Sequence, residues 1–281
     1  MRWKKMDDHF LQSLEFVAFD TETTGLWAAA NRIVEIGAIK FRLGRNDCRR
    51  FQALVNPERP IPLETVNVHG ITDTMVKDAE LARPVLREFL DFCGGQSVLI
   101  AHNARFDISF VGSELDRAEL PMPDNIILDT VDIFRVLHPE LQSYSLLSLA
   151  RQFSISRAQR HRAADDAALV WKLFALASEE FPYVDKLSTL TRIFPRYYMS
   201  QWQGETRSLP DQYTDITQAI DLKRRLQIVY QPDKSPPQTR IIRPTRVHWH
   251  RQKYYIAAYC EKAEAERTFR LDRIVSFQLI A

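Results

Sequence analysis

Cysteine is scarce in this chain, with three among 281 residues: Cys48, Cys93 and Cys260. Their odd number and wide spacing argue against a disulfide framework and against a cysteine-rich zinc site. Because disulfides are rare in reducing compartments, the simplest interpretation is a cytoplasmic protein.

Long apolar segments are also missing. No run reaches the roughly 18 consecutive apolar residues that a membrane-spanning helix requires. The basic residues Arg2, Lys4 and Lys5 are not followed by the apolar run of a secretory signal. We therefore expect neither a membrane span nor a membrane partner, and we find no internal repeat.

The chain has little net charge, +2, with 45% apolar and 26% charged residues. This composition is typical of a globular protein with one large domain or two ordinary ones. Residues 211–281 contain 13 Lys and Arg and 8 Asp and Glu, a net charge of +5, whereas residues 1–210 carry −3. This charge distribution fits a domain with a carboxylate-rich site followed by a basic domain that binds phosphate groups. An uneven spread of solvated charges explains it equally well.

Apolar patterning predicts an α/β domain over residues 1–180. Short apolar, β-branched runs indicate strands, and apolar residues at 3.6-residue spacing indicate helices. We predict strands at 15–21, 32–41, 51–55, 97–101 and 126–129. We predict helices at 84–92, 107–120, 145–153 and 163–177. Strands first, then alternating strands and helices, indicate a mixed sheet.

The rest of the chain predicts a smaller, β-rich domain. Residues 181–212 are irregular and are interpreted as a connector with one short helix near 186–194. A basic helix at 214–227 opens the second domain, residues 213–281. Its predicted strands are 240–242, 246–249, 254–260, 268–271 and 275–280.

Two carboxylates, Asp20 and Glu22, stand at the end of the first predicted strand. Side chains at i and i+2 of a strand leave the same face, so the pair forms a cradle for a hard divalent cation. Such a pair is weak evidence alone, because it occurs by chance. Its position strengthens it, since buried carboxylates are costly unless paired or metal-bound.

Two further acidic segments open predicted helices. Asp107 follows the strand at 97–101, and His161 and Asp166 flank the start of the helix at 163–177. Capping a helix is the more common role for each of these groups. Taken with Asp20 and Glu22, however, they complete an inventory for phosphodiester hydrolysis. Two cations about 3.5–4 Å apart can hold the attacking water and stabilise the leaving oxygen. Carboxylates suit Mg²⁺ or Mn²⁺, and a histidine can take the proton of water.

The segments at 20–25 (DTETTG), 102–107 (HNARFD) and 161–166 (HRAADD) resemble the three motifs of the DEDDh exonuclease family. That family includes the proofreading epsilon subunit of bacterial replicases. The segment at 68–72 (VHGIT) is similar to the family's His-Gly-Ile segment. The resemblance covers roughly residues 15–178 and implies an RNase H-like fold, a five-stranded mixed sheet flanked by helices.

The resemblance also implies roles by motif position. Asp20, Glu22 and Asp166 would hold a first divalent cation. Asp20 would bridge to a second cation, which Asp107 would help to hold. His161 would be the general base, and the products would be nucleoside 5′-monophosphates released from a 3′ end.

Substrate contacts are implied along the same cleft, from backbone groups and an apolar wedge. The implied residues are Thr23, Thr24, Gly25, Leu26, His69, Asn103 and Phe106. Core packing explains Phe106 equally well. Asp165, beside the motif carboxylate, is interpreted as a solvated helix residue.

Arginines interleaved with aromatic residues mark residues 240–273. Basic groups bind phosphates and aromatic rings stack on bases, but an aromatic core beneath a solvated arginine face gives the same pattern. The segments at 253–260 (KYYIAAYC) and 267–274 (RTFRLDRI) resemble a WYL domain over about 213–281. This implies a small Sm- or SH3-like β-barrel that senses nucleotides or binds single strands. Its implied ligand residues are Tyr255, Arg267, Arg270 and Arg273.

The leading hypothesis is a metal-dependent 3′→5′ exonuclease that acts on DNA or RNA, preferably single-stranded. Its tail would grip the substrate or sense a ligand. The alternative is a ligand-sensing, nucleic-acid-binding regulator whose nuclease domain is inactive or conditionally active. A structural replisome adaptor is a third hypothesis. The sequence does not decide between DNA and RNA.

Overall fold

A computed structural model describes most of the chain, which forms two compact units. The described residues are 9–28, 31–45, 47–181, 184–202, 209, 213–233, 235–250 and 253–280. The first unit comprises Met1–Leu26 and Arg32–Trp202, and the second comprises Trp27–Asn31 and Gln203–Ala281. Among the helices in the described ranges, none has both the length and the apolar character needed to cross a bilayer.

The first unit is a mixed sheet flanked by helices. Its strands are β1 (Phe16–Thr23), β2 (Ile33–Phe41), β3 (Cys48–Leu54), β4 (Val98–Ala101), β5 (Ile126–Asp129) and β6 (Arg196–Tyr198). Its helices are α1 (Leu63–His69), α2 (Asp73–Val76), α3 (Ala82–Cys93), α4 (Arg105–Arg117), α5 (Thr130–Leu137), α6 (Leu146–Gln152), α7 (Ala163–Glu179) and α8 (Leu187–Ile193). The strand order is β3-β2-β1-β4-β5-β6. The β1–β4 and β4–β5 pairs are parallel, and the other pairs are antiparallel.

The described part of this sheet has six strands where the sequence predicts five. The sixth, β6, lies in the range predicted as a connector and pairs antiparallel with β5. A strand of three residues, directly after Pro195, is too short to show a period in the sequence. The first unit therefore continues beyond the predicted boundary at residue 180, as far as Trp202.

The central strand β1 is buried on both faces, as its continuous apolar run predicts. Phe16, Val17, Ala18 and Phe19 are all inaccessible to solvent. A strand covered on both faces shows such a run instead of an apolar–polar alternation. Helix α7 covers β1 and β2, and the Phe174 ring packs 5.2 Å from the Phe16 ring, centroid to centroid.

Gly37 lets α7 approach this sheet closely. It lies on β2, directly opposite Asp20 of β1. A Cβ at this position would lie 2.0 Å from the backbone nitrogen of Ala164 and 2.2 Å from the carbonyl carbon of Ala163. The first turn of α7 therefore rests on the β2 backbone, beside the acidic end of β1.

The second unit combines one helix with an antiparallel sheet. Its elements are α9 (Thr214–Asp221), β7 (Arg225–Tyr230), β8 (Gln238–His250), β9 (Lys253–Cys260), β10 (Ala265–Arg270) and β11 (Ile274–Ile280). The strand order is β10-β9-β8-β7-β11. No strand pairing closes this sheet within the described residues, whereas the resemblance to a WYL domain implies a small Sm- or SH3-like β-barrel. The 3₁₀ turn Leu271–Arg273 leads β11 to pair with β7, which leaves β10 and β11 as opposite edges.

Candidate active site

Three carboxylates meet where β1 ends. Asp20 and Glu22 extend from β1, and Asp166 extends from the first turn of α7. One oxygen from each of the three side chains lies within 4.8 Å of the others. Glu22 and Asp166 are buried, and Asp20 is partly exposed. The predicted convergence of these residues is therefore present in the structure.

Burial and crowding raise the pKa of every carboxyl group in this cluster. The pKa of Asp20 lies well above its ordinary value because of burial and then the negative charges of Asp107 and Glu22. Burial, followed by repulsion from Asp166, raises the pKa of Glu22 to about 8. Burial also raises the pKa of Asp166.

The cluster has the donor set of a divalent-cation site. Oxygen ligands suit Mg²⁺ and Mn²⁺. The buried Oδ1 of Asp166 has no hydrogen-bond partner among the described residues, and an orphaned buried carboxylate oxygen is costly unless a cation or another donor satisfies it. The residues present therefore fit a metal ion that adds positive charge to the cluster.

Asp107 lies beside this cluster but is turned towards β1. It is buried in the first turn of α4, and its Oδ1 accepts a 2.7 Å hydrogen bond from Oγ1 of Thr21. Burial raises the pKa of Asp107 to about 7, and the bond from Thr21 opposes that rise. Its charge is close enough to raise the pKa of Asp20.

His161 immediately precedes Arg162, the N-cap of α7. Its backbone is left-handed, with φ of 50°, and its side chain is 44% exposed. Nδ1 of His161 lies 4.0 Å from Oδ2 of Asp166. The same oxygen accepts a 2.5 Å hydrogen bond from Nε2 of Gln159, a residue that the motifs did not single out. Asp165, in contrast, forms an ion pair with Arg50 at the surface.

The turn after β1 is held by a backbone clamp. Thr24 accepts a hydrogen bond from the backbone N–H of Arg32 at Oγ1, 3.0 Å, and donates its own N–H to the Arg32 carbonyl, 2.9 Å. Oγ1 of Thr23 donates to the carbonyl of Gly25 at 2.7 Å. The clamp leaves Leu26 with 76% of its surface exposed. The implied wedge residue is thus presented to solvent on a fixed turn.

The remaining implied substrate contacts differ in character. His69 is buried at the end of α1, and its Nδ1 accepts the N–H of Ile71 at 3.0 Å. Burial lowers the pKa of His69, and an interaction with the backbone of Thr23 opposes that shift. Phe106 is half-buried and packs on the Phe110 ring at 4.8 Å. Asn103 is exposed, with φ of 62°.

Asp129 organises the loop before α4, a role that the motifs did not reveal. It ends β5, and its carboxylate accepts the backbone N–H groups of Asn103, Ala104 and Val131, each at 2.9 Å. The bond from Val131 caps α5, and the other two hold the turn that leads to Asp107. The sequence signal that could have revealed this role is the position of Asp129, a carboxylate between a predicted strand and the following helix.

Two of the ligand candidates of the second unit, Arg270 and Arg273, form ion pairs with carboxylates. Tyr255 on β9 pairs with Arg270 on β10. The Arg270 guanidinium donates two hydrogen bonds to Asp272, at 2.8 and 2.9 Å, which lower the pKa of that carboxyl group. Arg273 forms an ion pair with Asp233. Arg267 is exposed, and strand alternation places it on the face of β10 opposite to Arg270.

A mixed sheet flanked by helices, with carboxylates gathered at the end of its central strand, agrees with the fold and the site that the sequence predicts. The sequence model of the Exonuclease family matches residues 17–174, more than half of the chain. The WYL domain model matches residues 211–279. The chain therefore belongs to the exonuclease family and carries a WYL domain after its nuclease domain, which confirms both predicted resemblances.

Its sequence relatives include much longer proteins. DNA polymerase III PolC-type from Listeria welshimeri is 32% identical over 231 residues, covering 79% of this chain and 15% of that protein. The protein of the same name from Caldanaerobacter subterraneus subsp. tengcongensis is 41% identical over 160 residues, covering 57% of this chain and 11% of that protein. The chain thus spans 15% or less of these two relatives.

Two solved structures share the fold at low identity. A 3′-exonuclease that recognises the histone mRNA stem-loop has a TM-score of 0.55 at 15% identity, covering 62% of this chain and 84% of that one. A full-length 3′-exonuclease has a TM-score of 0.54 at 14% identity, covering 62% of each chain. At these identities the likeness concerns the fold alone.

Proposed function

We propose that this protein is a DEDDh-type 3′→5′ exonuclease that needs two divalent cations, Mg²⁺ or Mn²⁺. It hydrolyses the terminal phosphodiester bond of DNA or RNA with a free 3′ end, preferably single-stranded, and releases nucleoside 5′-monophosphates. The observation that carries the proposal is the cluster of Asp20, Glu22 and Asp166, with His161 at its edge. Membership of the exonuclease family supports the same reaction class.

The chain's own residues divide the work. Asp20, Glu22 and Asp166 would hold one cation, and Asp20 and Asp107 a second. Divalent cations bound there supply charge neutralisation and Lewis acidity at the scissile phosphate. His161 takes a proton from the attacking water. Water oxygen bonds to the phosphorus, and the bond from phosphorus to the 3′ oxygen of the preceding nucleotide breaks. That oxygen takes up a proton from solvent and becomes the new 3′-hydroxyl of the shortened strand, while the terminal nucleotide leaves as its 5′-monophosphate.

The substrate end is positioned by the groups around this cluster. We propose that backbone groups of Thr23, Thr24 and Gly25 contact the terminal nucleotide, and that exposed Leu26 wedges against its base. His69, buried at the end of α1, would offer the substrate a further hydrogen-bonding group. Asn103 and Phe106 would line the approach to the cleft.

The proposal also covers the ligand of the second unit and the cellular role and location of the protein. Tyr255 on β9 lies opposite Arg270 on β10. An aromatic ring and a guanidinium suit a base and a phosphate, so the WYL domain would grip a strand or sense a nucleotide, with Arg267 and Arg273 as further candidates. The similarity to PolC-type polymerases prompts proofreading or DNA repair as the setting. Because all three cysteines are free, we propose a reducing, cytoplasmic location.

The test is a degradation assay on labelled single strands. DNA and RNA oligonucleotides, labelled at either end, are incubated with Mg²⁺ or Mn²⁺ and with wild type, Asp166→Asn or Asp165→Asn. We expect wild type to release 5′-monophosphates from the 3′ end. Loss of a group that stabilises transition-state charge costs about 10²–10³-fold, so we expect Asp166→Asn to be slower by at least that factor.

Asp165→Asn is the matched control, because it removes the neighbouring charge at the surface. We expect its rate to stay within about twofold of wild type. Wild type that releases no mononucleotide from any strand with either cation would reject the proposal. Tight binding of the same strands without turnover would then favour the regulator hypothesis.

A further inference from the structure

Glu35 is a buried carboxylate next to the catalytic cluster that the proposed reaction does not use. It lies on β2 opposite Glu22 and is inaccessible to solvent. Its Oε1 accepts a 2.7 Å hydrogen bond from Nε2 of Gln52. A buried charge is costly unless several donors satisfy it, so the partners of Glu35 indicate what it holds.

Its main partners are the two residues at the start of α7. Arg162 donates Nε to Oε2 at 3.0 Å and Nη2 to Oε1 at 2.5 Å, a two-pronged contact. The backbone N–H of Ala163 donates to Oε2 at 2.9 Å. The N-cap of α7 is Arg162, whose side chain makes no cap hydrogen bond. Glu35, on the neighbouring strand β2, thus caps the N-terminus of α7 by accepting the N–H of Ala163. Its two oxygens also hold the side chain of Arg162, the N-cap residue.

These contacts fix the residue that follows His161. His161 has a left-handed backbone, which a residue other than glycine retains only where the surrounding structure enforces it. Asp166 depends less on Glu35, because the first turn of α7 also rests directly on Gly37.

We propose that Glu35 is a positioning residue of the nuclease reaction. Through Arg162 and Ala163 it holds His161 at the edge of the carboxylate cluster. This inference rests on the proposed function, in which His161 takes the proton of the attacking water.

The kinetic test replaces Glu35 by glutamine, which keeps the shape and removes the charge. Loss of a group that orients a catalytic side chain costs about 10–100-fold in activity, so we expect kcat to fall by that factor. We expect KM, and the Mn²⁺ concentration for half-maximal rate, to stay within about threefold. Arg162→Lys loses the two-pronged contact and should show the same split. Asp165→Asn, at the same end of α7, should show neither change.

A double variant separates positioning from a general loss of structure. Residues that act as one unit are not additive. In a His161→Ala background we therefore expect Glu35→Gln to lower kcat by less than about threefold. Full additivity would overturn the inference. Thermal unfolding of each variant identifies any that fail to fold, and Arg162→Lys then serves in place of Glu35→Gln.

A measurement without activity keeps this inference separate from the proposed function. The chain has seven histidines, and the Cε1–H resonance of His161 is identified by its loss in His161→Ala. We expect that resonance to shift or broaden in Glu35→Gln and to stay in place in Asp165→Asn. An unchanged resonance in folded Glu35→Gln overturns the inference, even if wild type proves inactive. Inactive wild type with a shifted resonance rejects the proposed function alone.

Discussion

Replacing Gly37 by alanine should force α7 away from the sheet. The added Cβ would stand 2.0 Å from the backbone nitrogen of Ala164, whereas ordinary contact begins at 3.4 Å. The first turn of α7 must therefore move by about 1.4 Å, the difference between those distances. Because the atoms it meets belong to the helix backbone, no side-chain rotation relieves the overlap.

The expected loss of stability in Gly37→Ala depends on how tightly the atoms around the added Cβ are packed. Overpacking a filled core costs about 1–3 kcal/mol. Ala163 and Ala164 are fully buried, so we expect a loss near the upper end, about 3 kcal/mol in the free energy of unfolding. Asp166 moves with its helix, and on the proposed function its displacement weakens cation binding. We expect a loss of about 10–100-fold in Mn²⁺ affinity, the range for disturbed metal-site geometry.

The assay is urea unfolding followed by circular dichroism in EDTA, with Mn²⁺ affinity measured by calorimetry. Gly95→Ala is the matched control, since its Cβ would meet no atom within 4 Å. We expect that variant to stay within about 0.5 kcal/mol of wild type. If Gly37→Ala is as stable as Gly95→Ala and binds Mn²⁺ as wild type does, the close approach of α7 to β2 is refuted.

Three further predictions concern other groups. In metal-free protein the pKa of Glu22, raised to about 8, and that of Asp107, raised to about 7, make the folded state bind more protons than the unfolded chain. We expect Tm in EDTA to rise as pH falls from about 9 to about 6, and Glu22→Gln to flatten that slope; a Tm that falls instead contradicts the reasoning. Asp129→Ala should cost about 2–4 kcal/mol in urea unfolding, because it removes a helix cap and two further bonds to a charged acceptor; a loss below about 1 kcal/mol contradicts this. Asp272→Asn frees Arg270 and should tighten the binding of a single-stranded oligonucleotide by a few-fold in fluorescence anisotropy, whereas unchanged affinity removes Arg270 from the proposed ligand site.

The carboxylate pair on β1 was accessible to sequence reasoning because it depends on local geometry. Asp20 and Glu22 leave one face of a strand by its period of two, and an unbroken apolar run marked that strand as buried. The motif spacing then supplied Asp166. Glu35 and Gly37 could not be found in the same way, since their roles depend on which helix lies over β2.

The helix and strand boundaries that the sequence predicted wrongly are set by contacts between segments distant in the sequence. Residues 222–227 have good helix formers and extended the predicted helix, but the structure ends α9 at Asp221 and starts β7 at Arg225. Leu226 and Ile228 are buried on one face of that strand, so packing overrides local propensity. The strand β6 gave no signal, because three residues carry no period.

The cluster at the end of β1 joins parts of the chain that are synthesised at different times. Asp20 and Glu22 leave the ribosome early, whereas Asp166 follows after a delay of roughly 7–30 s at about 5–20 residues per second. During that interval the nascent polypeptide contains Asp20 and Glu22 but not Asp166. On the proposed function, the nascent chain therefore lacks one of the residues that would hold the first cation until α7 has emerged and packed on Gly37.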